Sequence, residues 1–215
     1  MPNRIKLLLG ENNKLNSINL LAILSAASVL RKEKILKQVL EFAKIKKLNC
    51  QKIYEAILQT YLFAGFPIAL ISLSIFHEYF PNCGKFEIKD ERKDLYKIGV
   101  DTCRKIYGNK FEKLITNTKN FSPELADWLI IEGYGKVLSR DILSLKEREL
   151  LNISILTSLK FENQLYSHIN GAYRLGIKFS TMKKVIRNLD LLGSSTYSKF
   201  GIKVLNKYME RKRVK

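Results

Sequence analysis

A glutamate and a histidine give this sequence its clearest potential for chemistry. Glu149 and His168 are nineteen positions apart, each inside an apolar stretch of helical periodicity. Only a short connection at 161–163 separates the two predicted helices, so both side chains can point between packed neighbours. A buried carboxylate needs a partner, and a nearby histidine can hold the proton that the two groups exchange. The pair therefore predicts general acid–base chemistry.

Two arginines near the glutamate are candidates for binding an anionic substrate. Arg140 falls in a predicted loop, and Arg148 directly precedes Glu149. A guanidinium group can hold a carboxylate through two charge-assisted hydrogen bonds. For each arginine the alternative is a surface or inter-helix salt bridge. Tyr134 is a further candidate for the substrate-binding wall, with packing as the alternative, and Trp128 is expected to pack.

Helices must position these side chains, because apolar residues recur at helical spacing along the whole chain. No alternating apolar and polar run with flanking turn residues indicates a strand, so the fold class is all-α. Residues 50–79 are predicted to form a long helix with a kink near Gly65 and Pro67. Further helices are expected at about 91–106, 109–118 and 123–138.

Three local signals define helix ends around the candidate site. Ser122-Pro123 predicts a helix start, because serine caps free amides and proline suits the first helical position. Ser144-Leu-Lys-Glu147 is a capping box that opens the Glu149 helix. Gly176 closes the His168 helix in the left-handed conformation.

The residues around this pair form a pattern seen in a known family. The segment Gly135–Leu150, with Arg140, Leu143 and Glu149, is followed by His168 and by Gly171-Ala172. Gly99-Val-Asp-Thr-Cys-Arg-Lys-Ile-Tyr-Gly108 and Ser122-Pro-Glu-Leu125 precede it, and Glu55–Leu70 is similar to the closing helix of the family's repeat. Together these segments resemble the carboxymuconolactone decarboxylase-like family of the alkylhydroperoxidase D-like superfamily.

The resemblance implies that His168 lines the pocket. Peroxidase-type relatives add a glutamate at the position of Glu149 and two cysteines, at the positions of Phe161 and Gln164. Neither sulfur is present here, so a CxxC-type peroxidase mechanism is excluded, although the superfamily is linked to peroxiredoxin activity. Decarboxylase-type relatives often carry a glutamate where Gln164 stands.

The leading functional prediction is a cofactor-free lyase that acts by proton transfer on a small carboxylated or lactone-like substrate. Arg140 would hold the carboxylate, and His168 would protonate carbon as carbon dioxide leaves. Glu149 would set the protonation state of the histidine, and Gln164 would bind the developing enolate. No cofactor and no metal are expected. The alternative is a non-catalytic oligomeric or binding protein that kept the fold and lost the chemistry.

The sequence also predicts an internal repeat and an assembly. A shift of 129 residues lays 56–59 on 185–188, with Leu20 opposite Glu149 and Val39 opposite His168. We therefore expect two tandem repeats packed as one compact unit: a degenerate repeat at 1–84 and a site-carrying repeat at 85–215. Since single-repeat relatives form trimers of dimers, the resemblance implies a homotrimer, with a dimer as the alternative. The apolar segment 61–73 could supply the interface, and the alternative is that it is the central core helix of a monomer.

Composition limits the remaining partners. The formal net charge is +18, but the basic residues are scattered, and the densest clusters are 44–47 and 211–215. This scattered distribution of basic residues favours a solvated lysine-rich surface, so nucleic acid is an unlikely partner. The three cysteines are expected to be reduced thiols, and no zinc-binding spacing occurs. Without a long apolar run or a signal peptide, the protein is predicted to be cytoplasmic with no membrane contact. His77 is expected to be solvated.

Overall fold

The computed structural model describes residues 15–83 and 94–213, and within these ranges the secondary structure is helical throughout. The all-α prediction is confirmed. The α-helices are α1 Ser17–Val29, α2 Glu33–Ile45, α3 Cys50–Leu58, α4 Tyr61–Tyr79, α5 Leu95–Tyr107, α6 Phe111–Lys119, α7 Pro123–Trp128, α8 Leu145–Leu159, α9 Glu162–Arg174, α10 Phe179–Asn188 and α11 Thr196–Arg213. A π-helix, Leu129–Leu138, continues α7, and short 3₁₀ turns follow α5 and α10.

The predicted helix ends are confirmed. The Ser122 hydroxyl accepts a hydrogen bond from the Leu125 amide at 3.0 Å, which caps α7. Ser144 and Glu147 form the reciprocal capping box at the start of α8. Gly176, with φ 79°, follows the end of α9. The connection between α8 and α9 is shorter than expected, because Lys160 turns in the left-handed region at φ 59° and α9 begins at Glu162.

The predicted helix over 50–79 is two helices, and the second is kinked as expected. Gly65 has φ 77° and ψ 172°, and Pro67 follows it inside α4. Contrary to the sequence prediction, α4 is long and apolar enough to cross a membrane by length and composition, with 19 residues and a mean hydropathy of 1.4. It is the one such helix in the described residues. The kink at Gly65 divides it, so neither straight part has the roughly 20 residues that a span needs.

The main core is built around α1 and α8, which contact each other and are buried on nearly all sides. Because α1 is buried on nearly all sides, its sequence is mostly apolar or small rather than amphipathic, whereas α8 also buries the polar side chains of Arg148, Glu149 and Asn152. Helices α2, α3, α9, α10 and α11 pack their apolar faces around this pair. The core therefore draws residues from both sides of the predicted boundary at 84/85, and the boundary itself lies outside the described residues.

A second, smaller core joins α5 to the π-helix. The two segments approach closely at glycines: a Cβ at Gly99 would lie 2.2 Å from the Ile130 carbonyl oxygen. A Cβ at Gly135 would lie 2.3 Å from the carbonyl oxygen of Leu95. This contact positions Tyr134 beside α5, next to the candidate site.

Two expectations about individual side chains are wrong. Cys50 and Cys83 form a disulfide with a Cα–Cα distance of 5.8 Å, whereas all three cysteines were expected to be free thiols. The kinked α4 returns the chain to the start of α3, a geometry that the separation of the cysteines in sequence does not reveal. Cys103 is a buried free thiol. Trp128 does not pack and is 61% exposed, whereas His77 is exposed as expected.

Candidate functional site

The structure brings Glu149 and His168 together between the consecutive helices α8 and α9. Nδ1 of His168 lies 2.9 Å from Oε2 and 3.2 Å from Oε1 of Glu149. Glu149 is fully buried, whereas the His168 side chain is 10% exposed. The carboxylate therefore has a cationic or hydrogen-bonding partner where water cannot reach it, and the imidazole lies at the margin of the core.

A glycine gives this pair its space. A Cβ at Gly171 would lie 2.9 Å from Oε2 of Glu149 and 2.6 Å from Cγ2 of Ile106. Gly171 is one turn beyond His168 on α9, so a larger residue would push the carboxylate away from the imidazole. The Gly171-Ala172 step that carries part of the family resemblance thus has a steric role at the site.

Two amides that the sequence analysis missed complete the polar network. Asn152 donates from Nδ2 to Oε1 of Glu149 at 3.0 Å. Gln59, from the far end of α3, donates from Nε2 to Oδ1 of Asn152 at 2.6 Å. Asn152 could have been found because it lies one turn after Glu149 on the same helix face. Gln59 could not have been found in this way, because its hydrogen-bond partner Asn152 lies 93 residues away in the sequence.

An arginine sets the orientation of the two amides in this network. Arg148 donates from Nη1 to Oε1 of Gln59 at 3.0 Å, and a guanidinium group can only donate. The Gln59 amide nitrogen must therefore face Asn152, which in turn directs the Asn152 nitrogen to Glu149. Independently of these amides, an ionised Glu149 can only accept, so Nδ1 of His168 donates to it, and in the neutral ring Nε2 carries the lone pair.

Both candidate arginines bind a single buried carboxylate. Arg148 donates from Nη2 to Oε2 of Glu55 at 2.8 Å, and Arg140 donates from Nε to Oε1 and Oε2 at 2.8 and 3.0 Å. Burial lowers the pKa of Arg148 and the bonds to Glu55 oppose this shift, so the guanidinium stays charged at neutral pH. Arg148 is buried, and the Arg140 side chain is 35% exposed. Both arginines therefore form the inter-helix salt bridge that is the alternative to substrate binding.

The remaining predicted residues, Gln164 and Tyr134, have different surroundings. Gln164 is exposed at the start of α9. Tyr134 is buried and its hydroxyl donates to the hydroxyl of Tyr107 at 3.0 Å. The ring of Tyr107, rather than that of Tyr134, lies against His168, with centroids 6.2 Å apart, and Phe63 lies 6.4 Å away on another side. Burial raises the pKa of both tyrosines well above the usual value, so both hydroxyls stay protonated.

The described residues contain no group of three or more histidine, cysteine, aspartate or glutamate side chains that could hold a metal ion. His168 can accept or donate a proton at Nε2 while Glu149 stabilises the charge that results.

The fold and the site define the chain as an all-α protein with a buried Glu–His pair between two consecutive helices. The chain is similar to 4-carboxymuconolactone decarboxylase from Acinetobacter baylyi, with 25% identity over 105 residues. The similar region covers 48% of this chain and 77% of that enzyme. No family model matches the chain. The similarity supports a distant, family-level relationship to decarboxylases of this kind.

Proposed function

We propose that the chain is a cofactor-free, decarboxylase-like lyase that acts by proton transfer on a small carboxylated or lactone-like substrate. The observation that carries this proposal is the contact between His168 Nδ1 and the buried Glu149 carboxylate, 2.9 Å long. A histidine held in this way presents Nε2 as its reactive atom. The similarity to 4-carboxymuconolactone decarboxylase supports the substrate class.

The proposed decarboxylation requires only the substrate, a proton from His168 and solvent to restore that proton. The bond between the substrate carbon and its carboxylate breaks, carbon dioxide leaves, and the electron pair remains on the substrate as an enolate. Protonated His168 then delivers its Nε2 proton to that carbon, and solvent restores the proton. Glu149 stabilises the imidazolium form before the transfer, because its negative charge lies at hydrogen-bond distance from Nδ1. Asn152 and Gln59 are positioning residues, since they touch only the protein groups.

Two arginines supply positive charge for substrate binding. Arg140 and Arg148 together with Glu55 carry a net charge of +1, which favours an anionic substrate on this side of the network. A substrate carboxylate would have to share Arg140 with Glu55. Gln164 would bind the enolate from its exposed position on α9, and Tyr134 would act only through Tyr107.

The test is turnover by matched histidine variants. Purified protein is given 4-carboxymuconolactone and a set of small carboxylated lactones, and carbon dioxide release is measured. His168→Ala should lower the rate at least ~100-fold, the usual scale of a general acid. His77→Ala removes the other, exposed histidine and should leave the rate unchanged. Equal turnover by His168→Ala and wild type on every substrate would contradict the assignment.

A non-catalytic binding protein is the second candidate. The observation that favours it is that Arg140 already pairs with the buried carboxylate of Glu55, while Gln164 is exposed. Absence of carbon dioxide release from every substrate tested, by a folded wild-type protein, would favour this candidate over the lyase.

We also propose the tandem-repeat form, which the helix bounds support. Helices α2 and α9 begin and end 129 residues apart, and α3 and α10 begin 129 residues apart. One contact recurs under the same shift: Asn188 donates to Asn19 at 2.9 Å, as Arg148 donates to Gln59 at 3.0 Å. The first repeat would then lack the site, because buried Leu20 and Val39 stand opposite Glu149 and His168.

A further inference from the structure

A cavity of about 900 Å³ lies on the other side of α9 from the Glu149–His168 pair. Tyr166 and Asn170 line it, two residues to either side of His168, and this spacing puts them on the opposite face of the helix. The last turns of α11 and the turn after α5 complete its wall. The volume is within the range of small-molecule sites.

Three tyrosines give the cavity an aromatic wall. Tyr208 lies between the other two, with its ring centroid 5.2 Å from that of Tyr166 and 6.0 Å from that of Tyr173. Its hydroxyl donates to Oδ1 of Asn170 at 3.0 Å, and the ring is buried. Tyr173 is 41% exposed, and Phe179 stacks on it at 5.1 Å. The aromatic wall is thus held rigidly from behind while part of it is open.

Two residues of the basic cluster near the end of the sequence, Arg211 and Lys212, lie on this wall. Arg211 lies 5.7 Å from the Tyr166 ring centroid, and Lys212 lies 5.1 Å from that of Tyr173. Lys110 and Arg174 add two cations to the lining, against one carboxylate, Glu210. These lining residues therefore carry a net charge of +3.

Arg174 reaches this position because the residue opposite it is a glycine. A Cβ at Gly108 would lie 1.9 Å from Nη2 of Arg174, so only glycine leaves room for the guanidinium group. Gly108 also has φ 58°, a conformation that other residues rarely adopt. The guanidinium thus lies against the carboxyl end of α5, where the helix dipole favours a cation.

We propose that this cavity binds a nucleoside polyphosphate. The base replaces Lys212 over the Tyr173 ring, and the Lys212 ammonium moves to the phosphates. Arg174, Arg211 and Lys110 supply the remaining positive charge, which exceeds what a single carboxylate ligand would need. A bounded cavity with one aromatic wall fits one nucleotide, whereas nucleic acid requires a charged track along which several bases stack.

Calorimetric titration of the full chain in ~0.15 M salt tests the proposal, because surface charges are screened there beyond ~8 Å. ATP should bind at least ~5-fold more tightly than inorganic triphosphate, since stacking of the base adds to the charge interaction. Tyr173→Leu should abolish this preference for ATP. The double variant Arg211→Gln/Lys212→Gln should weaken ATP binding at least ~10-fold, because charge-assisted contacts to phosphate are lost.

The control removes the same charge elsewhere. Lys34→Gln/Lys44→Gln alters two exposed lysines on α2, and its affinity for ATP should match that of wild type. Equal binding of ATP and triphosphate, equal losses in the two double variants, or no ATP binding at millimolar concentration would overturn the proposal. Much tighter binding of a single-stranded oligonucleotide than of ATP would also overturn it, in favour of nucleic acid.

Discussion

At the scale of single residues, one guanidinium group and one carboxylate determine how the candidate site is arranged. Arg148 can only donate, and its bond to Gln59 fixes the orientation of two amides, whereas Glu149 determines the ring nitrogen at which His168 carries its proton. The site therefore depends on residues that never approach a substrate. Removing one of them should affect both stability and activity.

Asn152→Leu tests the middle of this network. It leaves the amide of Gln59 and the carboxylate of Glu149 each short of one buried partner, so the free energy of unfolding should fall by ~1–3 kcal/mol. Urea denaturation measures this change. Asn206→Leu, at an exposed position on α11, is the control and should shift stability by less than ~0.5 kcal/mol. An Asn152→Leu variant as stable as the control would contradict the network.

Cys103 offers a second test at this scale. Burial raises the pKa of its thiol to about 12, with a smaller opposing effect from Tyr134. At pH 8 roughly one thiol in 10⁴ is then ionised, and the thiolate is the reactive form. We expect no labelling by Ellman's reagent in the native protein and one fast-reacting thiol after unfolding in urea without reductant. Stoichiometric labelling of the native protein within minutes would show that Cys103 is neither buried nor protonated.

At the scale of helices, the fold was largely predictable and the site only in part. The capping box at Ser144, the start at Ser122 and the end at Gly176 are local signals, so the sequence predicts them correctly. The Glu149–His168 contact follows from the spacing of two consecutive helices. Gln59 and the Cys50–Cys83 disulfide depend on how distant segments pack, and no local pattern encodes that packing.

The close contact at Gly171 is testable with a single methyl group. Gly171→Ala should destabilise the protein by ~1–3 kcal/mol, because the added carbon meets Ile106 and Glu149 inside a packed core. It should also lower turnover by displacing the carboxylate. Gly133→Ala is the matched control, since the nearest atom to its new Cβ lies 3.9 Å away. Thermal unfolding of the two variants distinguishes them, and equal midpoints would refute the steric role of Gly171.

The cap of α8 should make stability depend on pH. Burial raises the pKa of Glu147, but hydrogen bonds from Lys52 and Ser144 outweigh it and hold the pKa below its usual value. The ionised form is therefore favoured by folding, so its contribution is present above the unfolded pKa of ~4.3 and is lost as pH falls through the folded value. Glu147→Gln should cost ~0.5–1 kcal/mol at pH 7 and nothing near pH 2. A cost independent of pH in urea denaturation would contradict this account.

At the scale of the whole molecule, α4 presents apolar surface that a monomer leaves in water. Phe66 is 68% exposed, Leu70 65% and Ile71 39%, so the segment predicted as an interface does not serve mainly as a core helix. Large exposed apolar residues grouped on one helix are typical of an interaction surface. We propose that three chains associate through it, which cyclic symmetry permits without an open edge.

Light scattering in ~0.15 M salt tests the assembly, since salt at this level screens repulsion between chains of charge +18. We expect three times the chain mass of 24.9 kDa, and Leu70→Lys should reduce it to one. The exposed Lys44→Gln variant should leave the mass of the assembly unchanged. A wild-type mass near 24.9 kDa would refute association, and twice that mass would indicate a two-fold dimer.

The most direct test of the central claim is the tautomer of His168, because the proposed chemistry needs Nε2 as the reactive atom. The chain has only two histidines, so ¹⁵N-labelled histidine with a His77→Ala variant assigns both rings by NMR. At pH ~9, where an ordinary imidazole is neutral, we predict a proton on Nδ1 and none on Nε2. Glu149→Leu should release that preference, since it removes the group that accepts the Nδ1 proton. A proton on Nε2 in the wild-type protein would contradict the account.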